Sequence, residues 1–334
     1  METKSPIPNL ARMQNEHPRA SAPRAGGRRS GVFLARVGSL RMAGRFHAIN
    51  VFVGPEHAAV AMQGNLTAVD HSWQADSPST WHSQCGQDFI VAAIFQGARD
   101  FFFVDLAANH PIRYSNSRSL ERDFGWRGLC IEPNPTLLWQ LAQRRTCTVV
   151  GAVVSDSEDG SLNFMIGKGS AGHNSPMDHV FSKIISAEEA AAQGEGVIRL
   201  TPATLRSVLQ SQNAPRVMSY LSLDVERHED AALLPVLEHE PPEYTWHVMT
   251  IEGPSVRLQG ALRRAGYTCA LPKIGVASDQ LWVHASVPGG VANATMRADA
   301  ANKAWHHKVR WRSNPGMDAT QIRFPRVHGA PPRS

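Results

Sequence analysis

The chain predicts a doubly wound α/β fold, with mostly parallel strands and helices on both faces, between basic irregular ends. Three observations carry this. Short continuous apolar runs alternate with stretches of helical spacing from about residue 83 to 288, several of the runs end in an acid, and the charge is segregated along the chain. The first 50 residues hold nine bases against two acids, and 289–334 eight against two, whereas the whole chain nets only +5. The stretch 51–288 is therefore acidic. That argues against a core that grips nucleic acid, and leaves weak contacts with nucleic acid or acidic partners to the tails.

Residues 1–82 carry recurrent Pro, Gly, Ser and Arg without lasting periodicity, and are read as a basic, largely irregular leader. Its first 50 residues, rich in Arg and poor in acids, have the composition of an organellar transit peptide and equally of a plain disordered tail. A cytoplasmic and an organellar location both stay open. No apolar run reaches the length of a membrane span, since the best candidate, 47–62, is broken by Pro55 and Glu56. Asn65 and Asn293 head glycosylation sequons, which matter only in a secreted chain. Four separated cysteines, Cys85, Cys130, Cys147 and Cys269, form no Cys-x-x-Cys pair. Cys130 and Cys147 lie in apolar runs and are read as small buried hydrophobes.

Within 83–288, helical spacing first appears at Gln87–Gln96. The run 101–106 then ends near Asp105 and suits a strand covered on both faces. Strands are expected next over 129–132, 147–154, 162–166, 217–224, 247–252 and 281–284. Helical patterns intervene at Thr136–Arg145, Thr201–Gln210, Asp230–Leu237 and Ser255–Ala265. Right-handed crossovers place the carboxyl ends of parallel strands on one rim. Asp105, Glu132, Asp156, Asp224, Glu226 and Glu252 fall there.

Asp105 and Glu132 are separated by one strand–helix–strand unit, and an acid ending the second strand of such a unit accepts hydrogen bonds from ribose hydroxyls. Ala107 and Ala108 allow close approach to the backbone, less freely than glycine. Neither a Gly-x-Gly-x-x-Gly nor a Gly-Lys-Ser/Thr follows the first strand. An acid there repels pyrophosphate and suits a cationic cofactor such as S-adenosylmethionine. A helix cap is the alternative role for Asp105. The string Gly167–Gly172 matches a dinucleotide fingerprint but lacks a following helical pattern, and is read as a mobile loop over the site, with His173 and His179 in or near it. Trp305, Trp311 and Phe324 interleave with tail arginines. They suit docking on a partner, or a disordered tail dotted with aromatics.

The segments Ser83–Asp88, Phe102–Asn109, Ser115–Glu121, Phe124–Pro135, Ser222–Glu229, Thr250–Glu252, Arg264–Tyr267 and Asp279–His284 occur in an order that resembles the FkbM family of methyltransferases. That resemblance implies a seven-strand Rossmann-like class I methyltransferase sheet, S-adenosylmethionine as cofactor, and methyl transfer to a hydroxyl of a small molecule or glycan. By position it implies Asp105 and Asn109 at the methionine end, beside Ala107. Glu132 would hold the ribose, Pro133 and Asn134 would shape the adenosine pocket, and Asp156 would meet the adenine amine. The chain departs from the family pattern at Ala107 and Arg227, where glycine is usual.

Asp224, Glu226 and His228 alternate, so they share a face if the strand continues that far. They are the expected catalytic residues, with His228 as a base oriented by a carboxylate. In a second reading they hold a divalent metal, and in a third His228 and Glu229 merely open the next helix. A non-catalytic binding protein, with Arg227 closing the acceptor side, is the remaining alternative. The acceptor and the oligomeric state are not legible.

Overall fold

A computed structural model describes residues 81–167, 182–193, 196–240 and 242–309. The leader as far as residue 80, the loop containing His173 and His179, and Trp311 and Phe324 lie outside them. Apolar runs become buried strands. Phe102–Leu106 is β1, Arg127–Ile131 β2, Thr148–Val150 β3, Val217–Leu223 β9, Thr245–Ile251 β10, Tyr267–Leu271 β11 and Gln280–His284 β12. These strands form one seven-stranded sheet in the order β11-β12-β10-β9-β1-β2-β3. β12 runs antiparallel to both neighbours, and the other pairings in this sheet are parallel.

Alternation along each strand divides the core between two faces. Val104, Leu106, Leu221, Leu223 and Met249 pack on one face with Val208 of α5 (Leu205–Ser211), Leu233 of α6 (Glu229–Leu237) and Leu258 of α7 (Val256–Arg264). Phe103, Cys130, Val149 and Val248 pack on the other with Ile90 of α1 (Gln87–Ile94) and Leu141 of α3 (Pro135–Arg144). The fold is therefore doubly wound. Gly128 lets β2 lie close to β1, because a Cβ there would stand 2.3 Å from the Phe103 carbonyl oxygen.

The chain moves outward from β1 to β2 and β3, then returns to lay β9 on the other side of β1. This reversal is a topological switch point, and it opens a crevice beyond the carboxyl ends of β1 and β9.

Several expectations fail for local reasons. The run 147–154 is two strands, because the chain breaks at Gly151-Ala152 and β4 (Val153–Ser155) leaves to pair with β8 (Pro202–Thr204) in a separate sheet. The run 162–166 also misses the main sheet. As β5 (Leu162–Met165) it is the centre of an antiparallel sheet with β6 (Lys183–Ile185) and β7 (Val197–Leu200).

The irregular tail expected from 289 instead begins with α8, Val291–Val309. Ala294, Ala298, Ala301 and Trp305 form its buried stripe, and the Trp305 ring lies 5.9 Å from Phe89. Gly86 makes room, since a Cβ at that position would fall 2.5 Å from the indole. Trp305 is thus a core residue and not a docking residue. Among the described residues, no helix is long and apolar enough to cross a membrane.

Cys130 and Cys147 are buried as expected, but they are joined in a disulfide with Cα atoms 6.1 Å apart. Apolar context alone does not reveal that β2 and the entry to β3 bring them together. The bridge spans 17 residues of sequence, a loop whose cross-link stabilises by about 3 kcal/mol in the chain-entropy account. Urea unfolding with and without a reductant should show a loss of that order. An unchanged midpoint in a Cys130→Ala/Cys147→Ala variant would refute it.

Candidate active site

The crevice is a cavity of about 380 Å³ walled by the loops after β1, β2, β9 and β10. Ala107 and Ala108 both donate their backbone N–H to the Ile131 carbonyl, at 2.9 and 3.0 Å, which ties the first loop to β2. Glu132 fastens the same junction. Its Oε2 accepts from Asn109 N and its Oε1 from Asn134 N, each at 2.8 Å. Burial pushes the Glu132 carboxyl up to about 7, the two backbone donors pull it down, and the charge of Asp105 adds to the rise. Asp105 is also buried and raised for that reason, against the pull of Ser117, Arg145 and Ser222. Asp105 and Glu132 both line the one cavity, along with Ala107, Asn109 and Pro133.

Asn134 is completely buried and outside the cavity wall. It caps α3 by accepting from Thr136 N at 3.0 Å, and it acts on the site through its bond to Glu132. Asp156 is exposed and also outside the wall. It follows β4, which departs from the main sheet, and its carboxylate accepts from the Ser155 hydroxyl at 3.2 Å.

His228 is on that side too, with Nε2 3.1 Å from Ser155 Oγ, and it does not line the cavity. Its expected alignment with Asp224 and Glu226 fails because β9 ends at Leu223. Glu226 and Arg227 then take φ of 54° and 75°, turning the chain before α6. Burial lowers the His228 pKa, partly opposed by Asp156.

Asp224 and Glu226 meet Glu252 instead. Carboxylate oxygens of the three lie within 4.8 Å of one another. Adjacent parallel strands produce this convergence, since Leu223 pairs with Ile251 and the acids follow each strand end. Burial raises the Asp224 carboxyl well above its usual range, and the charge and hydrogen bond of Glu252 raise it further. Glu226 is raised by burial and by Glu252, and lowered by Lys183. Asp279, held by Gln87 Nε2 at 2.7 Å, completes an acidic mouth. Sequence reasoning missed Lys183, Asp279 and Asn116 as wall residues, because distant loops deliver them. Asn116 and Asp279 do fall in segments that carry the family resemblance.

Positive φ concentrates here: Ala107 at 64°, Asn109 at 53°, Tyr114 at 54°, and the Glu226-Arg227 pair. Side chains resist this conformation by about 1–2 kcal/mol each. Arg227 is exposed and outside the cavity wall, so it does not close the acceptor side among the described residues. Arg227→Gly should raise stability by roughly 0.5–1 kcal/mol, the strain relieved less the entropy that glycine adds to the unfolded chain. Thermal melting checks this, and a lower melting temperature would contradict it.

No family model matches the chain, and no curated protein matches it. Among solved structures it is similar to a precorrin-6y C5,15-methyltransferase from Geobacter metallireducens GS-15. That likeness has 12% identity, covers 66% of this chain and 96% of the other, and has a TM-score of 0.30.

Proposed function

We propose that the chain is an S-adenosylmethionine-dependent methyltransferase that methylates a hydroxyl of a small molecule or glycan. One observation carries the reading. Among the described residues, the charged groups on the wall at the switch point are six carboxyls and a single lysine: Asp105, Glu132, Asp224, Glu226, Glu252 and Asp279 against Lys183. Such a wall repels phosphates and other ligands of net negative charge. It favours a nucleoside that carries positive charge, and S-adenosylmethionine has an ammonium, a sulfonium and a ribose diol. Glu132, next to the apolar Pro133, Val154 and Phe164, would take the ribose hydroxyls. Asp105 would take the ammonium.

Bound there, S-adenosylmethionine would supply a methyl group for in-line transfer to an acceptor oxygen, the C–O bond forming as the C–S bond breaks to leave a neutral thioether. Positioning supplies most of the acceleration, because the sulfonium is already activated. The acceptor proton would pass to Asp224, whose carboxyl is pushed up by burial and by Glu252 and is a stronger base for it. Glu226 and Glu252 line the same side.

A second reading is favoured by the carboxylate trio alone. A hard divalent cation takes oxygen ligands, and Asp224, Glu226 and Glu252 would hold it where His228 does not reach. It would polarise the acceptor hydroxyl.

Calorimetric titration of the full chain with S-adenosylmethionine and S-adenosylhomocysteine tests the first reading. Micromolar binding that Glu132→Leu abolishes is expected, and absence of binding to the wild type overturns it. Titration with Mg²⁺ or Mn²⁺ tests the second, which requires a signal that is lost in Glu252→Gln.

A further inference from the structure

Asn116 is 9% exposed and stands in the wall of the cavity. Its Nδ2 is 3.0 Å from Ser222 Oγ, and its Oδ1 finds no hydrogen-bond partner among the described residues. Asn116 donates through Nδ2 to the Ser222 hydroxyl, which leaves its oxygen as the unused end. Ser222 stands beside Asp105 in the register of β9 against β1. On the other side of Asp105, the Ser117 hydroxyl donates to the carboxylate and accepts from Arg145 Nη2 at 2.9 Å.

The Asp105 carboxylate has roughly four lone-pair sites, and Ser117 uses one of them. The Asn116 oxygen adds an acceptor that has no partner among the described residues. A donor group satisfies both, whereas a carboxylate, phosphate or ether oxygen brought against them would set acceptor against acceptor. A primary ammonium, with three N–H donors and no acceptor, fits. Leaving a buried carbonyl oxygen unmade is costly, so a ligand that supplies the donor gains affinity there.

We infer that Asn116 is a ligand-binding residue and that its Oδ1 and the Asp105 carboxylate together receive the primary amine of the bound nucleoside. This rests on the reading of the cavity as an adenosyl site, and it adds what decides between adenosyl compounds: those with the amine are selected over those without it.

The test is calorimetry of the full chain with three probes. S-adenosylhomocysteine carries the amine and a carboxylate, its decarboxylated form keeps the amine, and 5′-methylthioadenosine lacks both. Asn116→Ala is expected to weaken the first two by roughly tenfold, the effect of one lost hydrogen bond, and to leave 5′-methylthioadenosine within a factor of about two. Ser222→Ala, which removes the acceptor that orients the amide, should show the same selectivity and serves if Asn116→Ala fails to fold. Equal weakening of all three probes, or no weakening of the amines, overturns the inference while the adenosyl reading stands. Loss confined to S-adenosylhomocysteine would assign Asn116 to the carboxylate and also overturn it. Failure of all three to bind the wild type overturns the underlying reading.

Discussion

Unfolding free energy should fall as pH rises from 5 to 8. Glu132 ordinarily titrates near 4.5 and is pushed up to about 7 by burial, so between those values the folded chain binds a proton that the unfolded chain has released. Stability is fully present below the unfolded value and is lost as pH climbs through the folded one. The Glu132 shift alone corresponds to a change on the order of 3 kcal/mol. Asp105, Asp224, Glu226 and Asp279 are all raised, chiefly by burial, and tilt the profile the same way. Glu121 opposes the trend only in acid. Burial works against its charge, but Arg145 and Thr146 hold it low, and its contribution is lost as pH falls below 4.5. Urea midpoints at pH 5, 6, 7 and 8 should decline steadily. Glu132→Gln should flatten the decline and start from a lower value, because its amide must set an NH₂ against the N–H of Asn109 or Asn134. A profile that is level or rises towards pH 8 would show that these carboxyls ionise freely. Binding of a cationic nucleoside should tilt the other way, tightening as pH passes 7, since the ligand favours the ionised wall.

The same acids mark how much of the molecule could be read beforehand. Asp105, Glu132, Asp224, Glu226 and Glu252 were legible because buried parallel strands are apolar runs, and a carboxyl at the end of such a run stands out. That Glu252 meets Asp224 was not legible, because it depends on β9 and β10 being neighbours in register. His228 lies off the cavity wall because period-two alternation holds only within a strand, and the residues after Leu223 turn through positive φ. Asp156 lies off it because two strands, β3 and β4, run close together in sequence and part in space. The helix α8 did carry a signal, small or aromatic residues at 294, 298, 301 and 305, which its basic charges obscured. The disulfide and the short strands β6, β7 and β8 leave no periodic trace.

Arg145→Met should be among the most damaging single substitutions, because it strands a buried acid. The Arg145 side chain is 0% exposed and its Nε pairs with Glu121, whose side chain is 2% exposed. The rest of the guanidinium is spent on Ser115 Oγ at 3.0 Å, Ser117 Oγ at 2.9 Å and the Pro111 carbonyl at 3.5 Å. Methionine fills much of the volume but leaves Glu121 with Arg118, at 3.7 Å, as its only cationic neighbour among the described residues. Removing one partner of such a pair costs about 3–5 kcal/mol, whereas replacing both with uncharged groups is close to neutral. Arg145→Met/Glu121→Gln should therefore recover most of the lost stability in urea unfolding, and failure to do so would mean that packing, and not the uncompensated charge, holds this region. Nucleoside binding should not recover with it. Ser117 loses the donor that fixes its hydroxyl, and Asp105 loses both a firm hydrogen bond and the nearby positive charge that opposes its burial. A double variant with restored stability and still weakened S-adenosylhomocysteine binding separates the two roles of Arg145, stabilising the fold through Glu121 and positioning the cavity carboxylate through Ser117. Restored binding would leave only the first.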